Sequence, residues 1–441
     1  MMLRDNLGNA TSGATRQSLE HYEHALRLFQ CYIGDPVAVV DTALRASPAL
    51  VMGHVLKAYL HLLGTEPAAV PVAEDAHAAA AQLAANGREA GHVLAIGHIL
   101  AGRWHEASRV LEDVSIEFPR DALALQAGHL IDFLTGNSRM LRDRIARALP
   151  SWGERTPGYH AILGMHAFGL EETGDYARAE AHGRKGVELE PRDGWAQHAV
   201  AHVMEMQSRQ QDGIAWMRAN PEAWTRDSFF CVHNWWHLAL FHLELGQIDE
   251  VLALFDGPIY GARSAIAFDM VDASALLWRL QLRGVDVGDR WNPIADKWEP
   301  IASAGNYAFN DAHAMMAFVG SQRTKAAESV LEAQRAAMEG TGDNAAFTRD
   351  VGSATTLAIQ AFGKGDYAQA VRLLRPIRHI AHRFGGSHAQ RDLLDLTLIE
   401  AAFRAGESQL AAALVAERRE VKSSPFTRAL GERASLSSRA A

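Results

Sequence analysis

The sequence predicts an all-α fold, a solenoid of helix-turn-helix repeats with a period near 36 residues. Three observations lead there. Strand signals are nearly absent, while long Ala- and Leu-rich segments carry apolar residues at three- and four-residue spacing. Gly and Pro punctuate those segments at helix ends. The punctuation also repeats: Gly102-Arg103-Trp104-His105-Glu106-Ala107, closed by Phe118-Pro119-Arg120-Asp121, returns 72 residues later as Gly174-Asp175-Tyr176-Ala177-Arg178-Ala179, closed by Glu190-Pro191-Arg192-Asp193. Another 72 residues lands on Gly246, and the half-steps fall at the turn-like Thr135-Gly136-Asn137 and Gln210-Gln211-Asp212.

Taken in order, residues 1–18 read as a polar arm and 19–425 as one continuous repeat domain. His21–Val40 and Met52–Leu63 form the first helical pair, with Asp35-Pro36 opening a helix and Gly64-Thr65-Glu66-Pro67 as a loop. Val72–Asn86 and Gly91–Leu100 follow, then the clear repeats from Gly102. Between 257 and 300 the pattern breaks at Gly257-Pro258, Gly284, Gly288, Asn292-Pro293 and Glu299-Pro300, an irregular insertion suited to a lid or wall. Helices resume over Ala304–Leu331, break again at Glu339–Asn344, and end in copies at Gly365-Asp366-Tyr367 and Ala405-Gly406-Glu407. Residues 426–441, rich in Ser, Arg and Ala, read as a loose tail.

An aromatic at Tyr176, small residues at Ala179 and Gly186, and Pro191 closing the second helix resemble the tetratricopeptide pattern. Trp104, Ala107 and Pro119 fit it too, as do Tyr367 and Ala370. More specifically, Trp195–Gln207, His233–Gly246, Asn310-Asp311-Ala312-His313-Ala314 and Gly385–Asp392 resemble segments of the tetratricopeptide repeat protein 38 family. The resemblance implies a helical-repeat fold and brings no reaction with it. An array of this kind can curl into a nearly closed superhelix.

A net charge of −9 without any Lys/Arg run argues against a nucleic-acid partner. No apolar run approaches the roughly 18 residues of a membrane span, and the start lacks an apolar signal core. Two cysteines, Cys31 and Cys231, cannot make a disulfide framework, so a reducing, cytoplasmic home is expected. Phosphate-loop, nucleophile-elbow and dinucleotide fingerprints are missing, so no nucleotide cofactor is expected.

The histidines stand apart from this pattern. Segment 233–246 is apolar nearly all round, hence buried, yet His233, Trp236 and His237 share one of its faces. A buried imidazole without partners costs roughly 1–3 kcal/mol per unmet group. Counting in repeat register, His166, His202 and His237 occupy nearly the same height on three consecutive first helices, which pack about 8–10 Å apart. His198 sits one turn before His202, and Glu205 nearly one turn after it. The stripe His198, His202, Glu205 suits a divalent metal or acid–base work. The competing reading makes each a hydrogen-bonded core residue.

Two later groups complete the candidate set. Asp311 and His313 open a helix, where Asn310 or Asp311 would serve as a cap and His313 points inward. After Gly385-Gly386, with Ser387 as a cap, His388, Arg391 and Asp392 share one face suited to a carboxylate or phosphate.

Two functions follow. In the first, an enclosed His/Trp-rich pocket takes a small polar or anionic molecule, with His198, His202, His237, His313 and His388 for proton transfer or metal-assisted chemistry. His166, Glu205, His233, Trp236, Asp311, Arg391 and Asp392 would line it. In the second, a non-enzymatic scaffold holds a peptide or protein in its concave groove. Homo-oligomer formation is compatible with either, and a membrane partner with neither.

Overall fold

The structure is a computed structural model that describes residues 2–440. Helices run from Arg16–Cys31 to Pro425–Ala440. Among the described residues the named strands are Leu3–Arg4 and Ala10–Thr11, a short antiparallel pair at the start of the chain. No helix of the described residues is long and apolar enough to cross a membrane.

One local device recurs along the chain. Each first helix of a pair ends on a residue in the left-handed conformation, at Tyr32, Thr65, Gly102, Gly136, Gly174, Ser208, Gly246, Gly284, Gln322, Gly365 and Gly406. These turns lie 33 to 43 residues apart, around the period expected. At Gly174 (φ 83°) the following amide, Asp175 N, donates to Leu170 O at 2.9 Å. That six-residue bond satisfies an orphan carbonyl and turns the chain back for the second helix. The bond recurs at Arg209 N to Met204 O, 2.8 Å, and at Arg323 N to Phe318 O, 2.8 Å. The fold is thus an all-α array of helical hairpins, tetratricopeptide-like in its pairing.

Contacts divide the chain into two compact units, Met1–Val200 with Asn220–Cys231, and Ala201–Ala219 with Val232–Ala441, where one continuous domain over 19–425 is expected from sequence. The division falls inside the helix Gly194–Met206.

In the first unit, successive hairpins close on the end of helix Arg16–Cys31. Gln126 Nε2 donates to Phe29 O at 3.0 Å, and Tyr32 stacks on Trp195 with centroids 5.5 Å apart. Gly34 N donates to Asp227 O at 2.7 Å and Phe229 N to Tyr32 O at 3.0 Å. A repeat array ordinarily touches only its sequence neighbours; here residues near 32 meet residues near 228. The polar arm is docked rather than loose, with Ser12 N on Glu89 Oε1 at 2.8 Å and Asn86 Nδ2 on Ala10 O at 3.1 Å. Charge is buried in this unit too, as in the Arg144–Asp132 pair at 2.8 Å, both side chains 0% exposed.

The second unit also closes over long sequence distances. Trp278 Nε1 donates to Thr397 Oγ1 at 3.0 Å, and Lys422 Nζ reaches Glu205 Oε1 at 2.8 Å, 217 residues away. Two expectations are corrected here. The stretch 257–300 is largely helical, with Ala267–Leu282 and Trp291–Trp298 forming a further hairpin around Gly284. Apolar burial outweighs its Gly and Pro signals, since almost all of Ala267–Leu282 is in the core. Residues after 425 form the helix Pro425–Ala440, with Leu430 and Ala434 buried; residue 441 lies outside the described residues.

Candidate functional site

The second unit gathers imidazoles and carboxylates from four parts of the chain. The helix Cys231–Glu244 is buried along nearly its whole length, as its apolar surround requires, and carries His233 and His237 one turn apart. His202 and Glu205 come from Gly194–Met206, Asp272 from the middle of Ala267–Leu282, and Lys422 from the turn before the last helix.

These side chains form a file. His233 Nδ1 faces Asp272 Oδ2 at 2.8 Å. His233 Nε2 faces His237 Nε2 at 3.3 Å. On its far side, His237 Nδ1 lies 3.3 Å from Glu205 Oε2, and Glu205 Oε1 accepts from Lys422 Nζ. His202 packs beside His237 with ring centroids 4.4 Å apart. His202, His233 and His237 each offer a ring nitrogen within 4.8 Å of the others. All five acidic and imidazole groups are at most 3% exposed.

Aromatic walls hold the rings in place. Trp236 stacks on His233 at 5.4 Å and 15°, while Phe268 closes the other side at 5.1 Å. Trp236 also meets His237 edge-on at 5.0 Å, and the Arg279 guanidinium lies 5.9 Å from the indole. Trp236 is therefore wall rather than ligand-facing polar group.

Burial sets the electrostatics. It holds His202 well below the ordinary imidazole range, helped by the charge of His237, while Glu205 pulls the other way. Burial also lowers His237, partly offset by Glu205. For Glu205 burial pushes upward, but the Lys422 ammonium and His237 outweigh it and keep the carboxyl well below its usual range. Glu205 is thus an ionised partner of Lys422 and His237.

His166 belongs to the first unit, where its Nδ1 faces His182 Nδ1 at 3.1 Å. Burial and His182 together depress it to about 4. His198 also packs in the first unit, among Phe168, Trp195 and Phe230 with centroids 5.0 to 5.3 Å away. His313 donates Nδ1–H to Phe309 O at 2.8 Å, so its lone pair sits on Nε2, which has no hydrogen-bond partner among the described residues. Burial depresses it to about 4, with the charges of Asp272 and Arg279 acting on it. His388 lies near enough for its charge to act on His202.

Asp311 does not cap its helix. The helix starts at Ala308, which puts Asp311 a turn inside, 3.4 Å from Gln334 Nε2. The face expected from His388, Arg391 and Asp392 is not an open anion site either. Ser387 and Gln390 form a capping box that satisfies the helix start, and Arg391 turns back onto Gly386 O. Asp392 is instead taken by Arg418, with Nη2 at 3.1 Å, and by Arg279 at 3.4 Å.

Sequence reasoning missed Asp272 and Lys422. Asp272 had a usable signal: it lies twelve residues before Gly284, much as His233 lies thirteen before Gly246. Lys422 had none, because its position depends on the closure of the whole unit.

No family model matches the chain. The crystal structure of yeast Tom70 is similar at 13% identity, over 96% of this chain and 96% of that one, with a TM-score of 0.31. The TPR domain of P58(IPK) is similar at 13% identity, over 89% of this chain and 99% of that one, with a TM-score of 0.20. At those scores the likeness says nothing about ligand or partner.

Proposed function

We propose that this helical-repeat protein binds a small polar or anionic molecule at the His202, His233 and His237 centre of its second unit. The observation that carries this reading is the buried file Asp272–His233–His237–Glu205, two imidazoles each facing a carboxylate. A repeat array needs aliphatic side chains at such positions, and buried ionisable groups are costly to keep. Perturbed titratable groups gathered in one buried place are the usual mark of a functional site. The scaffold reading fits less well, because the interior contacts of each unit, Tyr32 on Trp195 and Lys422 on Glu205, are made by the chain's own side chains.

The test is a thermal-shift panel on the full chain with orthophosphate and mono- and dicarboxylates. One class should raise the melting temperature by several degrees in the native protein, and His233→Gln and His237→Gln should abolish that rise. A native protein indifferent to the whole panel, or a rise that survives both substitutions, overturns the reading.

A further inference from the structure

We infer that His233 and His237 bind one divalent transition-metal ion of the zinc class through their Nε2 atoms, with His202 as third ligand. The inference rests on the proposed site and adds the species at its heart.

The placing of the ring nitrogens carries the argument. The file Asp272–His233–His237–Glu205 has three polar gaps: carboxylate to Nδ1, Nε2 to Nε2, and Nδ1 to carboxylate. Two neutral imidazoles supply one N–H each, so only two of the three gaps can hold a proton. If both Nδ1 atoms donate to the carboxylates, as the charges demand, two Nε2 lone pairs face each other at 3.3 Å. A cation between them would satisfy both.

Three features favour a metal ion there over a shared proton. An imidazolium here would be a charged ring at most 3% exposed, which burial opposes. The 3.3 Å separation is long for a proton shared between two ring nitrogens. It equals the edge of a tetrahedron around an ion with ligands at about 2.0–2.1 Å, which is roughly 3.3–3.4 Å. Thirdly, a proton shared by two rings has no use for a third, yet His202 stacks beside His237 with its nitrogen within 4.8 Å of the pair. That edge would shorten by up to about 1.5 Å on binding. Asp272 and Glu205, on the outer Nδ1 atoms, are the carboxylates that fix tautomer and ring orientation in such centres.

The experiment uses the full chain, stripped with chelator and titrated with Zn²⁺ and separately with Co²⁺. The expected result is one tightly held ion per chain, with Co²⁺ giving the intense visible bands of a four-coordinate nitrogen site. Affinity should fall at least about 100-fold in His237→Gln and His233→Gln, and about 10–100-fold in Asp272→Asn. His313→Gln should bind as the native chain does. Less than a tenth of an equivalent in the native protein, or equal binding in the His233→Gln/His237→Gln double variant, overturns the inference. Should the variants not fold, ring-nitrogen NMR of the native protein decides. Zn²⁺ must shift the Nε2 resonances, whereas an imidazolium signal unchanged by Zn²⁺ means that the shared cation is a proton. If metal binding fails while the anion-induced rise in melting temperature is still lost in His233→Gln, the ligand site stands and the metal alone is refuted.

Discussion

Asp311 offers a sharp test of how burial acts in the second unit. Asp311 is 7% exposed, and Gln334 Nε2 donates to its Oδ2 over a long 3.4 Å. Gln334 also gives that amide to Thr356 Oγ1 at 3.0 Å, so its help to Asp311 is divided. Burial therefore pushes Asp311 up to about 7, from an ordinary value of 3.8. A folded-state value above the unfolded one means that the native protein holds a proton which the unfolded chain has released. Stability from this group is full below pH 3.8, falls as the pH rises toward about 7, and is flat above that. At about 1.36 kcal/mol per pH unit, the gap is worth at most about 4 kcal/mol. Asp311→Asn keeps the shape and removes the charge. Its stability relative to the native chain should rise by about 2–4 kcal/mol between pH 4.5 and pH 7.5. Urea unfolding of both proteins at those two pH values, taken as a difference, cancels every other titrating group. A difference that does not change with pH, or a variant less stable than native at pH 7.5, would refute the reasoning.

Three further outcomes follow. Arg144→Ala strands Asp132 in the core of the first unit and should cost about 3–5 kcal/mol in urea, with a loss under about 1 kcal/mol ruling out a buried pair. Gln322→Gly relieves a non-glycine residue at φ 60° and should raise stability by up to about 1 kcal/mol, against a loss if the turn were ordinary. Lys422→Met leaves the Glu205 carboxylate buried without its ammonium; a loss of about 3 kcal/mol, with faster hydrogen exchange in Pro425–Ala440, is expected, and unchanged exchange there would deny the closure.

How far the fold could be read depended on which residue stood at each turn. Gly102, Gly136, Gly174 and Gly246 adopt the left-handed conformation and mark themselves in the sequence. Ser208, Gln322, Tyr32 and Thr65 adopt it too, but nothing in those residue types announces it, so the turns at 32 and 322 and the true position of the one near 210 were hidden. Gly284 was visible but was taken for irregularity, because Gly288 and two prolines lie close by. Local rules for breakers lost there to the burial of Ala267–Leu282. The site follows the same division. His202, His233 and His237 share a face or a register, which the repeat period exposes. Asp272, on the next first helix, was within reach of the same register, whereas no periodicity reaches Lys422 in the final turn.

That closure changes what kind of repeat protein this is. In an open array, stability is a sum of neighbour terms, and terminal hairpins can fray without harm to the middle. Here Lys422, from the turn preceding the last helix, supplies the charge that keeps Glu205 ionised, and Glu205 faces the ring that carries the shared Nε2 gap. Arg418, on the preceding helix, holds Asp392. The end of the chain is therefore part of the electrostatic support of the histidine centre. Fraying of Pro425–Ala440 would loosen Lys422, raise the affinity of Glu205 for protons, and reset the charge around His237. Opening of the last hairpin would therefore change the charge at the centre.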